Sequence, residues 1–116
     1  MKTLKNKVQL IGNVGDTPKM HTFENGKKVA RFSLATNDYF MKDDEKIQQT
    51  EWHNLVAWGK QADLVEKYVE KGSELAIAGK LTSRSFESAG GEKHVVTEIV
   101  VNELLLLSSK ENSTKN

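Results

Sequence analysis

The chain has no cysteine, which removes disulfides, thiolate metal sites and cysteine nucleophiles together. No apolar run approaches the length needed to span a bilayer. The start, MKTLKNKVQL, lacks the long apolar stretch of a secretion signal, so the sequence reads as cytoplasmic. Charge of one sign is missing too: 17 Lys and Arg face 16 Asp and Glu, for a net charge of +1. Bulk electrostatics therefore announce no polyanionic partner, and nucleic-acid binding would require the positive charge to be sorted onto one surface.

Recognisable enzyme chemistry is absent as well. His21, His53 and His94 are linked by no HExxH or comparable metal spacing. Asp43, Asp44 and Glu45 lack the ligand spacing of a calcium loop. There is no GxxxxGK phosphate loop and no GxSxG nucleophile elbow. An oxygen-ligand nuclease site stays open, because scattered carboxylates leave no signature. The reading is a binding protein without cofactor or metal.

What is present is a single domain of 116 residues with 37% hydrophobic and 28% charged residues, ordinary values for a globular protein. KNKVQLIGNV reads as a strand, with Val8 and Leu10 on one face and Lys7, Gln9 and Ile11 on the other. Gly12, Gly15 and Pro18 break it. Asn25-Gly26 is a strong hairpin signal between two β-prone runs. The second arm sets Ala30, Phe32 and Leu34 on one face against Val29, Arg31, Ser33 and Ala35. NDYFMKDDEKIQQ is polar and reads as an exposed, mobile loop with Tyr39 and Phe40 at its base.

TEWHNLVAWGK follows as a strand. Thr50, Trp52, Asn54, Val56 and Trp58 share one side; Glu51, His53, Leu55 and Ala57 share the other. KQADLVEKYVEKGS is the convincing helix: Ala62, Val65 and Val69 form its stripe, Leu64 and Tyr68 widen it, and Gly72 caps it. In ELAIAGKLTSRSFES, the apolar face Leu75, Ile77, Gly79 and Leu81 backs a basic face of Lys80, Thr82, Arg84 and Phe86. SAGGE turns the chain into a last strand, KHVVTEIVVNELLLL. Residues 108–116 read as a disordered polar tail, leaving 1–107 as the domain.

Three strands, one helix and two strands predict an all-β, five-stranded Greek-key barrel, the OB-fold, with the helix between strands three and four. A flatter α+β sheet with the helix on one face is the alternative.

Aromatics and cations are the informative set. The tryptophans could fill the core, yet Phe32, Leu55, Ala57, Leu75, Ile77 and Leu81 already supply one. Burying Phe86 would bury Lys80 and Arg84 with it, at high cost, so Phe86 is expected to be exposed. Exposed aromatics among cations suit unpaired nucleic acid, whose bases offer open faces for stacking while its phosphates accept Lys and Arg. The basic candidates are Lys7, Arg31, Lys60, Lys71, Lys80 and Arg84. Arg31, Lys80 and Arg84 alternate with apolar residues and are expected to line a groove. Lys71, like Lys67, is equally well a solvated helix face.

NKVQLIGNVG, NGKKVARFSLATN, QTEWHNLVAWGKQAD, YVEKGSELAIAGKLTSRSF and TEIVVNEL, in order from Asn6 to Leu105, resemble the bacterial single-stranded DNA-binding protein family. The resemblance implies an OB-fold homotetramer, nucleoid-associated, that wraps single-stranded DNA without sequence preference in replication, recombination or repair. It also implies stacking roles. Phe40 sits where a tryptophan is usual, Trp52 matches the tryptophan of TEWH, Trp58 replaces a phenylalanine and Phe86 a tryptophan. His53 matches a position associated with the subunit interface. Two departures stand out. SSKENSTKN lacks the family's acidic tip, which puts recruitment of replication or repair proteins in doubt, and the acidic DDE after Phe40 would repel phosphates. A primosomal replication protein of the same fold, or an OB-fold protein-interaction module with its aromatics buried between subunits, are the competing readings.

Overall fold

The computed structural model describes residues 5–108. Among them are six strands and one helix: β1 (Val8–Val14), β2 (Lys19–Thr22), β3 (Lys28–Lys42), β4 (Glu45–Trp58), α1 (Lys60–Tyr68), β5 (Glu74–Glu87) and β6 (Lys93–Ser108). The sheet order is β1-β5-β6-β4-β3-β2, and β1 also pairs with β3 through Asn13↔Ala35 and Val14↔Leu34. That second pairing closes a ring of five strands, with the short β2 appended to β3 outside it. The expected five-stranded barrel is therefore present, and α1 follows its third strand. Closure requires close backbone approach at Gly12, where a methyl group would fall 2.2 Å from the Ala35 carbonyl oxygen.

Inward residues of every barrel strand fill the core: Val14, Leu34, Leu55, Ala57, Leu75, Ile77, Ile99 and Val101 are all buried. Ala62, Val65 and Val69 of the α1 segment join them. Lys28 ties α1 to β3, its ammonium donating to Glu66 at 2.7 Å and pairing with Asp63 at 2.9 Å. The two carboxylates raise its pKa to about 12.

A register shift between Ala78 and Gly79 pairs Ala78 with Glu103 but Gly79 with Val101. The extra residue of β6 reverses which of its side chains point inward. Ile99 and Val101 are buried above the bulge, Leu104 and Leu106 pack on the core below it, and Leu105 and Leu107 are left exposed.

Several expectations need correction. Residues 37–49 are not a loop: β3 and β4 pair without interruption from Val29↔Trp58 to Lys42↔Glu45. The arm turns at Asp43 and Asp44, both at positive φ (53° and 67°), the geometry of a two-residue hairpin turn that Asp tolerates. Leu81 is exposed rather than core, because β5 and β6 run on past the barrel as a second arm. Leu64 and Tyr68 are exposed as well. The helix ends at Val69, which turns extended, and Gly72 (φ 94°) serves the following turn instead, where the Ser73 amide donates to the Glu70 carbonyl. Ser108 closes β6 opposite Glu74; the remainder of the expected tail, residues 109–116, lies outside the described residues.

Candidate nucleic-acid interface

Strand parity decides what meets what. The outward side chains of β3 (Val29, Arg31, Ser33, Ala35) lie beside those of β4 (Trp58, Val56, Asn54, Trp52) in register. Val56 sits opposite Val100 of β6, and across β6 the outward Val100, Glu98, Val96 and His94 face Lys80, Thr82, Arg84 and Phe86 of β5. On the other flank, Lys19 and His21 of β2 pair with Arg31 and Val29. One continuous outer face thus collects Arg31, Trp52, Trp58, Lys80, Arg84 and Phe86.

The tryptophans are not core. Trp52 is 61% exposed, Trp58 40%, Phe86 42% and Phe40 44%, which decides for exposure over core filling. Each of the first three is seated rather than loose. The Trp52 indole lies over Gly15, where a methyl group would meet Cζ3 at 2.2 Å; glycine leaves the indole its seat. Trp58 stacks on Phe23, with centroids 5.9 Å apart at 18°, and Phe23 meets His21 edge-on at 4.4 Å. Phe86 stacks on His94 at 5.2 Å, and the Arg84 guanidinium lies 5.7 Å from its centroid. Seating these rings before a ligand arrives lowers the ordering cost of binding.

At the centre of the face is a residue that the sequence reading missed. Glu98 is buried, and its carboxylate accepts from Arg31 Nη1 at 2.6 Å and from Arg84 Nε at 3.2 Å. The two arginines are therefore not independent cations: with Glu98 they form a trio of one net positive charge, the guanidinium planes held by a common acceptor. Beside them is a cleft of about 340 Å³ whose polar lining is Asp16, Thr17, Lys19, Arg31, Ser33, Asn54, Arg84 and Glu98. It offers cationic donors for a phosphate and polar groups for a base or sugar edge. The signal for Glu98 was a single outward acid between Val96 and Val100. Lys19 and His21 were missed because only pairing with β3 brings them here, and Phe23 because it lies in the turn between β2 and β3.

Other candidates lie elsewhere. Phe40 is opposite Ile47 on the reverse face of the β3–β4 arm. Lys7 precedes β1, one residue before the Val8↔Gly79 pair and so on the Lys80 side of β5, while Lys60 begins α1 and Lys71 lies in the turn after the helix; all three are exposed. His53 is half-buried on the inward side of β4, its Nε2 3.0 Å from the Thr36 hydroxyl. Asp43 and Asp44 form the arm's tip. No group of three or more His, Asp or Glu among the described residues is placed to hold a metal ion. None of their helices is long and apolar enough to cross a membrane.

A closed five-stranded barrel with one inserted helix and a basic, aromatic outer face defines an OB-fold binding protein. More narrowly, the chain belongs to the single-strand binding protein family, whose model matches residues 5–107. It is 44% identical over 112 residues to the single-stranded DNA-binding protein of Bacteroides thetaiotaomicron, covering 94% of this chain and 70% of that one. It is 41% identical to the Rickettsia conorii single-stranded DNA-binding protein, covering 96% of this chain and 78% of the relative. The solved structure of a Plasmodium falciparum SSB in complex with ssDNA superposes with a TM-score of 0.81 at 35% identity, over 93% of this chain and 98% of that one.

Proposed function

We propose that the chain binds single-stranded DNA, without sequence preference, along the outer face that carries Arg31, Trp52, Trp58, Lys80, Arg84 and Phe86. The observation that carries this reading is the shared face itself: exposed aromatics and cations from β3, β4 and β5 converge on one surface. Bases stack on Trp52, Trp58 and Phe86, and any base can do so because every base has an open π-face. Lys80 and the Arg31–Glu98–Arg84 trio neutralise phosphates and release counterions. Phe40 serves the strand from the other side of the arm, and Lys7, Lys60 and Lys71 extend its path beyond the face. Protection of single strands during replication, recombination or repair is the role that fits.

Affinity should fall with salt by roughly −0.7 in log–log slope per neutralised phosphate, with a stacking remainder that salt does not remove. Lys80→Ala is expected to flatten that slope by about one phosphate's share. Titrating oligo(dT) and a duplex of equal length over a salt series tests this. Equal affinity for both at every salt concentration contradicts the reading.

We further propose that the chain assembles as a homotetramer. Ile11, Leu105 and Leu107 are exposed on the outside of β1 and β6. With Gln9, Ala76, Ala78 and Glu103 beside them, Ile11 and Leu105 border an apolar groove of about 710 Å³. Such a surface suits a second copy, and its lining includes none of the residues of the aromatic face. His53 is assigned to a contact between copies. Sedimentation at micromolar concentration should give a tetramer, and Leu105→Glu a smaller species with the same melting behaviour of the barrel. A monomeric wild type would contradict this assignment.

A further inference from the structure

We propose that Tyr39 and Lys46 form an additional nucleotide subsite on the β3–β4 arm, the ring taking a base and the ammonium a neighbouring phosphate. The inference rests on the reading of the outer face as a path for single-stranded DNA. Register makes the argument. Pairing of β3 with β4 runs without a bulge from Val29↔Trp58 to Lys42↔Glu45. Alternation is therefore unbroken, and Tyr39 and Lys46 stand on the same ribbon face as Trp52 and Trp58, whereas Phe40 stands on the other.

Between Trp52 and Tyr39 there is one intervening rung. Ala35 faces Trp52, Asn37 faces Thr50 and Tyr39 faces Gln48. Four residues along a strand amount to about 13 Å, a span that a few nucleotides bridge. The rung is polar and bonded across the strands: Asn37 Oδ1 accepts from Thr50 Oγ1 at 2.7 Å and from Gln48 Nε2 at 3.1 Å. No bulky side chain rises from it to block a strand passing from one ring to the next.

Tyr39 is 57% exposed, and Lys46 Nζ lies 4.6 Å from its ring centroid. An aromatic for a base with a cation beside it for a phosphate repeats the arrangement of Phe86 with Arg84. Packing does not explain the ring, because the arm stands outside the barrel with both faces in solvent. Asp43 and Asp44, just past the Met41↔Lys46 pair, mark where the subsite ends, since two carboxylates at the tip repel phosphates.

The test compares full-length wild type, Tyr39→Ala, Tyr39→Phe and Lys46→Ala with oligo(dT) of about 4 and about 16 nucleotides, read by tryptophan fluorescence. Tyr39→Ala should bind the longer oligonucleotide about 5- to 30-fold more weakly, the range of one modest stacking contact. Its binding of the shorter one, and its melting temperature, should match wild type. Tyr39→Phe should bind as wild type, and Lys46→Ala should reduce the salt slope by roughly 0.7. Wild-type affinity of Tyr39→Ala at both lengths overturns the subsite while leaving the platform standing. Equal losses in Tyr39→Ala and Tyr39→Phe overturn it too, because the hydroxyl and not the ring would then be responsible. Wild type that binds neither oligonucleotide removes the underlying reading and the subsite with it.

Discussion

Trp52→Ala is expected to weaken oligo(dT) binding by about 1–3 kcal/mol, the worth of one stacked base, with no loss of fold. The indole is the most exposed of the four candidate aromatics and lies outside the barrel on β4. Its seat is Gly15 and the Ala35 rung, not the core. Removing it leaves no internal cavity, so a thermal melt should not move by more than a surface substitution allows. Trp58 differs in degree, because it also covers Phe23, and its loss would loosen that ring as well. An equilibrium titration paired with a melt checks the prediction. A Trp52→Ala protein that binds as wild type would leave the outer face without its principal stacking residue.

Ile77→Ala should behave in the opposite way, costing about 2–5 kcal/mol of stability through lost burial and a residual cavity. Ile77 is buried on β5 opposite Leu10 of β1 and Leu104 of β6, so neighbouring strands are fixed by pairing on both sides. The site can therefore collapse little, which places the expected cost well above a surface change. Folded Ile77→Ala should still bind oligo(dT) with near-native affinity, since the outer face is built on the other side of the sheet. Chemical denaturation read by far-UV circular dichroism measures it. A cost below 1 kcal/mol would mean that this side chain is not sealed in the core.

Much of the barrel was legible because its strands are half-buried, and half-burial writes alternation into sequence. Ala30, Phe32 and Leu34, and likewise Leu75 and Ile77, point inward as their spacing indicated. The same rule explains the failures. Residues 37–49 form a paired arm with both faces in solvent, so nothing selects for alternation and the polar run looked like a loop. Leu81 kept the parity of a core residue but fell beyond the end of the barrel, where inward has no meaning. The β6 bulge is invisible in a run such as VVNELLLL, where apolar residues occupy both parities. Of the candidate face, the geometry is legible where strands are, because parity alone puts Trp52 and Trp58 on one side of β4 and Lys80, Arg84 and Phe86 on one side of β5. Glu98 was not legible, because its role depends on two arginines from strands β3 and β5, a meeting that topology and not local pattern creates.

The central claim is that exposed tryptophans stack on unpaired bases. Intrinsic tryptophan fluorescence during titration with oligo(dT) tests it most directly, because Trp52 and Trp58 are the only two tryptophans and both lie on the outer face. Strong, saturable quenching by oligo(dT) is expected, reduced in Trp52→Ala and absent with duplex at the same concentration. Unchanged fluorescence on adding oligo(dT), in a mixture that light scattering shows to contain the complex, would contradict it.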